Sequence, residues 1–260
     1  MRVRWLTIFF DFPGAGFERG AAFWREVTGS GLSPFRGPGG EFATLLPPDG
    51  DAYLRVQRIH EGPARNHLDL HVDLTAGPGE GTASRDPMRA LDGAAAEAVA
   101  LGATVSYREP GEVIIADSPG GFTFCLVPWD GDTAVPAPLR AGDGATSRVA
   151  QLTLDIPGDG FERETAFWSK LTSGTLKPSP VPGYVFLDKT PGLPVGLLFQ
   201  RRERSAPGDR VTAHVDVPST GRDQVIAQHI AAGARVAAQR DRWTVMTDPL
   251  GRPYCLCWDC

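Results

Sequence analysis

The chain has 260 residues, of which 42% are hydrophobic and 22% are charged, and its formal net charge is −5. This composition is typical of folded globular protein and argues against a general nucleic-acid binder, which would carry a basic face. No stretch approaches the roughly 18 consecutive apolar residues that a membrane helix requires, so we expect no membrane partner.

The chain begins with an apolar stretch over residues 1–11, which predicts a strand. It is too short for a signal peptide, and no small-residue cleavage site follows it. The four cysteines are Cys125, Cys255, Cys257 and Cys260. Because three of them lie close together at the end of the sequence, they do not form a disulfide framework spread along the chain. We therefore expect a reducing, cytoplasmic location.

One segment occurs twice. Residues 11–24 return as residues 155–168, with ten of fourteen positions identical at an offset of 144. In both copies an Asp-x-Pro-Gly turn ends a strand, and a helix follows with Phe17, Ala21 and Trp24 at helical spacing. This spacing of aromatic residues predicts burial in a core.

The rest of the chain follows the same duplication. Residues 54–58 match 197–201, and Leu70-His-Val-Asp73 is aligned with Ala213-His-Val-Asp216. Residues 131–147 show no periodicity and many turn-forming residues, which is typical of a linker. We therefore predict two domains, 1–130 and 148–260, each built from two β-α-β-β-β repeats, separated by a linker over 131–147.

This arrangement resembles the vicinal oxygen chelate superfamily, in its glyoxalase-like and bleomycin-resistance-like branch. The residues that carry the likeness are His67-Leu-Asp-Leu-His-Val-Asp73, the alanine-rich helix to Leu101, and Asp248-Pro-Leu-Gly-Arg-Pro-Tyr-Cys-Leu256 with its variant at 118–126. The resemblance implies an α+β fold of tandem domains, in which two repeats form a curled mixed sheet with a concave ligand cup. The family includes metal-dependent lyases and dioxygenases as well as metal-free proteins that sequester antibiotics, so the fold does not select the reaction.

The family's metalloenzymes take His, Gln or Glu ligands from four places. The residues that correspond here are Arg4 or Arg148, Arg55 or Leu198, His67 or Arg210, and Cys125 or Cys255. Arginine stays protonated and has no lone pair to offer. We therefore expect no metal cofactor in either half. Two alternatives stay open: a rebuilt site from His67, His71 and Cys125, and a thiolate group from Cys255, Cys257 and Cys260.

Without a metal, the basic residues would form a positive floor for an anionic ligand. The candidate binding residues are Arg4, Arg55, Cys125, Arg148, Arg210 and His214. The alternative is that these arginines form ion pairs with Asp69, Asp73 or Asp216. His67 and His71 are the candidate catalytic bases of the first half, because histidine titrates near neutrality.

We therefore expect a metal-independent protein, monomer or homodimer, that binds a small anionic or oxygen-rich organic molecule. The alternative is an enzyme: an isomerase or lyase that abstracts a proton next to a carbonyl. A metal-dependent lyase or dioxygenase is a further possibility, through the rebuilt site.

Overall fold

The structure is a computed structural model that describes residues 1–73, 87–142, 144–188, 191–204, 206 and 208–258. The chain forms four β-α-β-β-β repeats, as the sequence predicts. The first repeat consists of β1 (Val3–Pro13), α1 (Phe17–Val27), β2 (Gly31–Leu32), β3 (Phe42–Leu46) and β4 (Leu54–Ile59). The second consists of β5 (Arg65–Val72), α2 (Pro87–Ala100), β6 (Thr104–Glu109), β7 (Val113–Asp117) and β8 (Thr123–Pro128).

Two short strands, β9 (Leu139–Arg140) and β10 (Thr146–Ser147), lie within the segment predicted as a linker. The third repeat consists of β11 (Gln151–Pro157), α3 (Phe161–Thr172), β12 (Leu176–Pro178), β13 (Tyr184–Leu187) and β14 (Gly196–Arg202). The fourth consists of β15 (Thr212–Thr220), α4 (Arg222–Ala231), β16 (Arg235–Gln239), β17 (Trp243–Thr247) and β18 (Pro253–Cys257).

The strands form two mixed sheets of the same topology. Their orders are β2-β3-β4-β1-β5-β8-β7-β6 and β12-β13-β14-β11-β15-β18-β17-β16, and β10 extends the second sheet by pairing with β15 and β9. The first and last strands of the second repeat, β5 and β8, pair in parallel, and so do those of the fourth repeat, β15 and β18. The predicted α+β class with tandem duplication is confirmed.

Two compact units can be distinguished. One comprises Met1–Ile8, His67–Thr133 and Thr153–Ala213, and the other comprises Phe9–Asn66, Ala134–Leu152 and His214–Cys260. The predicted domain boundaries at 130 and 148 stay a prediction. Residues 74–86 and Cys260 lie outside the described residues, so the thiolate group that includes Cys260 does too. No helix in the described part of the chain combines the length and apolar character needed to cross a bilayer.

The aromatic residues of the duplicated segment are buried, as predicted. Phe17 and Trp24 are 0% and 1% exposed, and Trp168 is fully buried. In the first copy the Phe10 and Trp24 rings stack with centroids 4.2 Å apart. Aromatic surface of this kind supplies much of the hydrophobic stabilisation of a core.

Each unit also buries a charged side chain next to the tryptophan of its duplicated segment, Trp168 in one unit and Trp24 in the other. In the unit that contains α3, Glu164 is 0% exposed and accepts hydrogen bonds from Gly120 N (2.7 Å) and Trp168 Nε1 (2.8 Å). Burial raises the pKa of this carboxyl, although its hydrogen bonds, Ser118 included, act in the opposite direction.

In the other unit the buried charge is positive. Arg252 donates to Asn66 Oδ1 (2.9 Å) and Arg65 O (3.1 Å), and its Nε lies 3.3 Å from Asp248 Oδ2. Its guanidinium carbon lies 4.8 Å from the Phe10 ring centroid and 5.4 Å from that of Trp24. Burial lowers the pKa of Arg252, and Asp248 opposes that shift. These contacts compensate a charge that would otherwise be costly to bury.

Replacing Arg252 by Phe, the residue at the matching position 122, should lower the free energy of unfolding by about 3 kcal/mol, because Asp248 is left as an uncompensated buried charge. The double variant R252F/D248S recreates the Ser118 and Phe122 pair, in which Phe122 N donates to Ser118 Oγ at 3.0 Å. It should therefore be more stable than R252F alone. Urea unfolding measures both values, with exposed Arg235→Met as control. A double variant no more stable than R252F would contradict this account.

His229 is fully buried, and desolvation lowers its pKa to about 4. Its pKa in the unfolded chain is about 6.5, so between these values the unfolded state binds more protons. Stability should therefore fall by about 3 kcal/mol in total as the pH drops from about 6.5 to about 4. His229→Gln keeps an acceptor for the Tyr254 hydroxyl and should flatten this dependence. Urea unfolding between pH 7.5 and 4.5 tests it, and equal slopes in both proteins would refute it.

Candidate metal centres

Three donor side chains meet on the polar face of β5 and β8. Leu68, Leu70 and Val72 alternate with His67, Asp69 and His71 along β5, so the two sets point to opposite faces. The parallel register places Asp69 directly opposite Cys125. His67 Nε2 lies 3.7 Å from Asp69 Oδ1, and one donor atom from each of His67, Asp69 and Cys125 lies within 4.8 Å of the others. We call these residues the first trio.

The same set recurs in the fourth repeat. There β15 and β18 pair in parallel with Asp216 opposite Cys255. His214 Nε2 lies 3.5 Å from Asp216 Oδ1, and the donor atoms of His214, Asp216 and Cys255 again lie within 4.8 Å of one another. We call these residues the second trio.

The cross-strand registers correct the alignment of the two halves. Sequence matching aligned Asp216 with Asp73. In the structure Asp216 lies opposite Cys255 and Asp69 lies opposite Cys125, so Asp216 is equivalent to Asp69, four residues before Asp73. His214 therefore corresponds to His67, and Arg210 does not. The motif that repeats is His-x-Asp, at His67-Leu-Asp69 and His214-Val-Asp216. Because β5 contains a second His-x-Asp at His71-Val-Asp73, sequence alone could not select between them.

Further contacts surround the donors. Gln151 Nε2 donates to Asp216 Oδ2 at 2.5 Å, which holds that carboxylate in one orientation. In the first sheet, His71 Nε2 lies 2.9 Å from Thr7 Oγ1, and its Nδ1 lies 4.0 Å from Asp130 Oδ1. His71 thus belongs to a separate group with Asp130 and Asp132. Sequence reasoning missed Asp69 and Asp216, although alternation along β5 already placed Asp69 on the face of His67.

Two of the predicted binding arginines form ion pairs with aspartates. Arg4 Nε lies 3.8 Å from Asp73 Oδ2, and the guanidinium carbon lies 4.6 Å from the Trp129 ring centroid. Arg210 Nη2 lies 3.0 Å from Asp117 Oδ2, and the side chain is 61% exposed. The Arg4 contact is one of the ion pairs expected as the alternative to a binding role, whereas Arg210 pairs with an aspartate outside the expected set.

The other two arginines lie elsewhere. Arg55 is half-buried on β4, with its guanidinium carbon 5.7 Å from the Phe9 ring centroid. Arg148 hydrogen-bonds the Tyr53 side chain. A binding role for Arg4, Arg55, Arg148 and Arg210 stays a prediction.

The donor sets fit a divalent metal. Imidazole, carboxylate and thiolate are all ligands of Zn²⁺, and catalytic zinc sites use three protein ligands with a fourth position open. Ligands of a tetrahedral metal lie roughly 3.3 to 3.8 Å apart, so donor separations up to 4.8 Å need only small side-chain shifts. The expectation of no metal cofactor in either half is therefore wrong. It rested on the family's ligand positions, and the rebuilt site that stayed open combined His71, and not Asp69, with His67 and Cys125.

Four β-α-β-β-β repeats in two mixed sheets are the arrangement of the superfamily that the sequence resembles. The family model described as "Glyoxalase-like domain" matches residues 7–127 and 151–257. The chain belongs to the glyoxalase-like family, and the resemblance found in the sequence is confirmed.

Solved structures of the same fold cover nearly the whole chain. The Mn(II)-bound glyoxalase from Novosphingobium aromaticivorans matches with a TM-score of 0.64 and 14% identity, over 98% of this chain and 82% of the other. The 2,2',3-trihydroxybiphenyl 1,2-dioxygenase from Sphingomonas wittichii RW1 matches with a TM-score of 0.62 and 14% identity, over 98% and 90%. The 2,3-dioxygenase LapB from Pseudomonas sp. KL28 matches with a TM-score of 0.62 and 14% identity, over 97% of this chain and 90% of the other. A search of curated proteins finds no significant match.

These findings correct the main functional expectation. A metal-independent binding protein was expected, but the trios supply metal-type donors and the structural neighbours are a Mn(II)-bound glyoxalase and dioxygenases. The metal-dependent alternative agrees better with both observations. At this level of identity the neighbours establish the fold and leave the reaction open.

Proposed function

We propose that the chain is a metal-dependent enzyme of the glyoxalase-like type that acts on a small, oxygen-rich organic molecule. The observation that carries the proposal is the recurrence of the same histidine, aspartate and cysteine donors on matching strands of both sheets. The two halves have diverged at buried positions such as Gly20 and Glu164, so retention of the same three residue types on both sheets indicates a shared role.

In the first sheet His67, Asp69 and Cys125 would hold the ion. When bound, a divalent metal supplies a Lewis acid that polarises a substrate oxygen. The cysteine favours ions that accept thiolate, zinc among them. Cys125, Cys255 and Cys257 are buried. A reducing cytoplasmic location, in which their thiols persist, is part of this proposal.

His71 is the proposed general base, and His67 becomes a ligand in this scheme. The His71 ring is held by Thr7 at 2.9 Å on one nitrogen and faces the Asp130 carboxylate at 4.0 Å on the other. A carboxylate on one side of an imidazole fixes its orientation and stabilises the imidazolium that forms on proton uptake. With substrate in place of the Thr7 hydroxyl, His71 Nε2 would take the proton from the carbon next to a substrate carbonyl, which makes the reaction that of a lyase or isomerase.

A dioxygenase is the second candidate, favoured by the dioxygenases among the structural neighbours. Non-haem iron oxygenases use two histidines and one carboxylate. Each trio has one histidine and a cysteine instead, so we rank this reaction second.

Metal binding should depend on both histidines. We expect up to two equivalents of Zn²⁺ or Co²⁺ per chain, one fewer in His67→Ala and in His214→Ala, and none in the double variant. The Co²⁺ protein should show thiolate charge-transfer absorption, reduced in Cys125→Ser. Elemental analysis after dialysis and absorption spectroscopy measure these, with exposed His60→Ala as control. Substoichiometric metal after loading with Zn, Co, Mn and Fe would contradict the proposal.

His71 should affect chemistry without affecting metal content. We expect His71→Gln to slow proton exchange next to the carbonyl of small hydroxyketones by at least about 100-fold, because a general base contributes roughly 10²- to 10⁴-fold. NMR in D₂O measures the exchange. Unchanged exchange would exclude His71 as the base, and oxygen consumption with catechols in place of exchange would favour the dioxygenase.

A further inference from the structure

A cleft of about 310 Å³ lies within the second compact unit, and none of the trio residues lines it. This volume is at the lower end of the roughly 300–1,000 Å³ typical of small-molecule sites. Its walls combine α1, the β3–β4 region and the segment that follows residue 133. The apolar lining residues include Val27, Leu45, Leu54, Leu139 and Val217.

The segment that closes the cleft is held by specific hydrogen bonds. Asp51 N donates to Ala134 O at 2.7 Å, and Ala134 N donates back to Asp51 Oδ2 at 2.8 Å. Ala137 N donates to Asp49 Oδ1 at 3.0 Å. Gly50 has a φ of +68°, and a Cβ there would lie 2.6 Å from Ala134 O, so a larger residue would push this wall away. The cleft is thus a formed feature of the unit.

Two of the residues that line the cleft each carry a buried nitrogen that has no hydrogen-bond partner among the described residues. Trp24 and His229 line the cleft and are 1% and 0% exposed. Trp24 Nε1 and His229 Nε2 have no hydrogen-bond partner among the described residues. Buried polar groups are almost always hydrogen-bonded, so each such exception calls for an acceptor or donor that the protein does not supply.

The chemistry of both nitrogens can be assigned. Indole Nε1 is a donor only. His229 Nδ1 lies 2.9 Å from the Tyr254 hydroxyl, for which it is the partner within the described residues. A hydroxyl proton donated to Nδ1 leaves the ring proton on Nε2, and the low pKa of His229 keeps the ring neutral at pH 7. Both nitrogens are therefore N–H donors, and a ligand oxygen would satisfy them.

A positive charge lies on the same lining. Arg148 lines the cleft and hydrogen-bonds the Tyr53 side chain, whose hydroxyl donates to Val149 O at 2.8 Å. Burial raises the pKa of Tyr53 to about 12, so the phenol stays neutral and does not cancel the guanidinium charge. A guanidinium on the same lining as neutral N–H donors is suited to a carboxylate.

We propose that this cleft is a second ligand site, which binds a small monocarboxylate with an apolar body. The apolar walls take the hydrocarbon, and Arg148 with the N–H groups of Trp24 and His229 takes the carboxylate. This proposal rests on none of the trio residues and stands or falls independently of the proposed reaction.

The test uses octanoate and 1-octanol, which share an eight-carbon chain and differ in the charged group. Isothermal titration calorimetry on the full chain should give a Kd below about 1 mM for octanoate. Binding of 1-octanol should be at least about tenfold weaker, because charge-assisted hydrogen bonds are lost. Equal affinities would overturn the carboxylate assignment, and no octanoate binding would overturn the site.

Variants locate the binding. Arg148→Gln should weaken octanoate binding about tenfold, whereas Arg235→Gln, at an exposed arginine on β16, should leave it unchanged. Trp24→Phe removes one N–H donor and should weaken binding roughly three- to tenfold. Trp168→Phe makes the same change at the matching position, outside the cleft, and should not weaken it. Circular dichroism confirms that each variant is folded. Full affinity in folded R148Q and W24F would show that octanoate binds elsewhere.

Discussion

The parallel pairing of the first and last strands within the second and fourth repeats determines where the donors meet. Residues opposite each other in such a pair lie on the same face of the sheet, and side chains two apart on one strand share that face. Asp69 opposite Cys125 therefore brings His67 to the same place, and Asp216 opposite Cys255 does the same for His214. No loop has to be positioned for this. A shift of the strand pairing by one residue would turn the donors of one strand toward the core. Because core packing fixes the register, it also fixes the relative positions of the trio residues.

The cores have diverged more than the donor sets. Beside its central tryptophan one unit buries Glu164, held by Trp168 Nε1 and Gly120 N, and the other buries Arg252, held by Asp248 and Asn66. The matching positions carry Gly20 for Glu164 and Phe122 for Arg252. A buried charge is tolerated only with its own partners, so each solution required several coordinated changes. Retention of the same three donors on both sheets through these changes indicates that core packing does not explain them.

Much of the fold could be predicted from the sequence. The ten identities between residues 11–24 and 155–168 fix the duplication, and the alternation along residues 66–73 fixes a strand with one polar face. The trios could not be predicted in full, because they depend on the register between strands that are distant in the sequence. Asp69 and Cys125 are 56 positions apart and Asp216 and Cys255 are 39 apart, and no local pattern specifies how they pair. Comparison with the family's ligand positions drew attention to Arg4 and Arg148 and away from Asp69 and Asp216. Cross-strand register, and not spacing along the chain, identified the aspartates.

The cleft in the second unit follows from the same divergence. Trp168 Nε1 donates to the Glu164 carboxylate one helical turn earlier, and this bond satisfies the indole inside the protein. In the first copy that position is Gly20, where a Cβ would lie 2.6 Å from the Phe12 ring, so no side chain fits. Among the described residues the Trp24 N–H has no hydrogen-bond partner, and Trp24 and His229 both line the cleft. The difference between Glu164 and Gly20 thus leaves the indole N–H of the first copy as a donor that the proposed carboxylate ligand would satisfy.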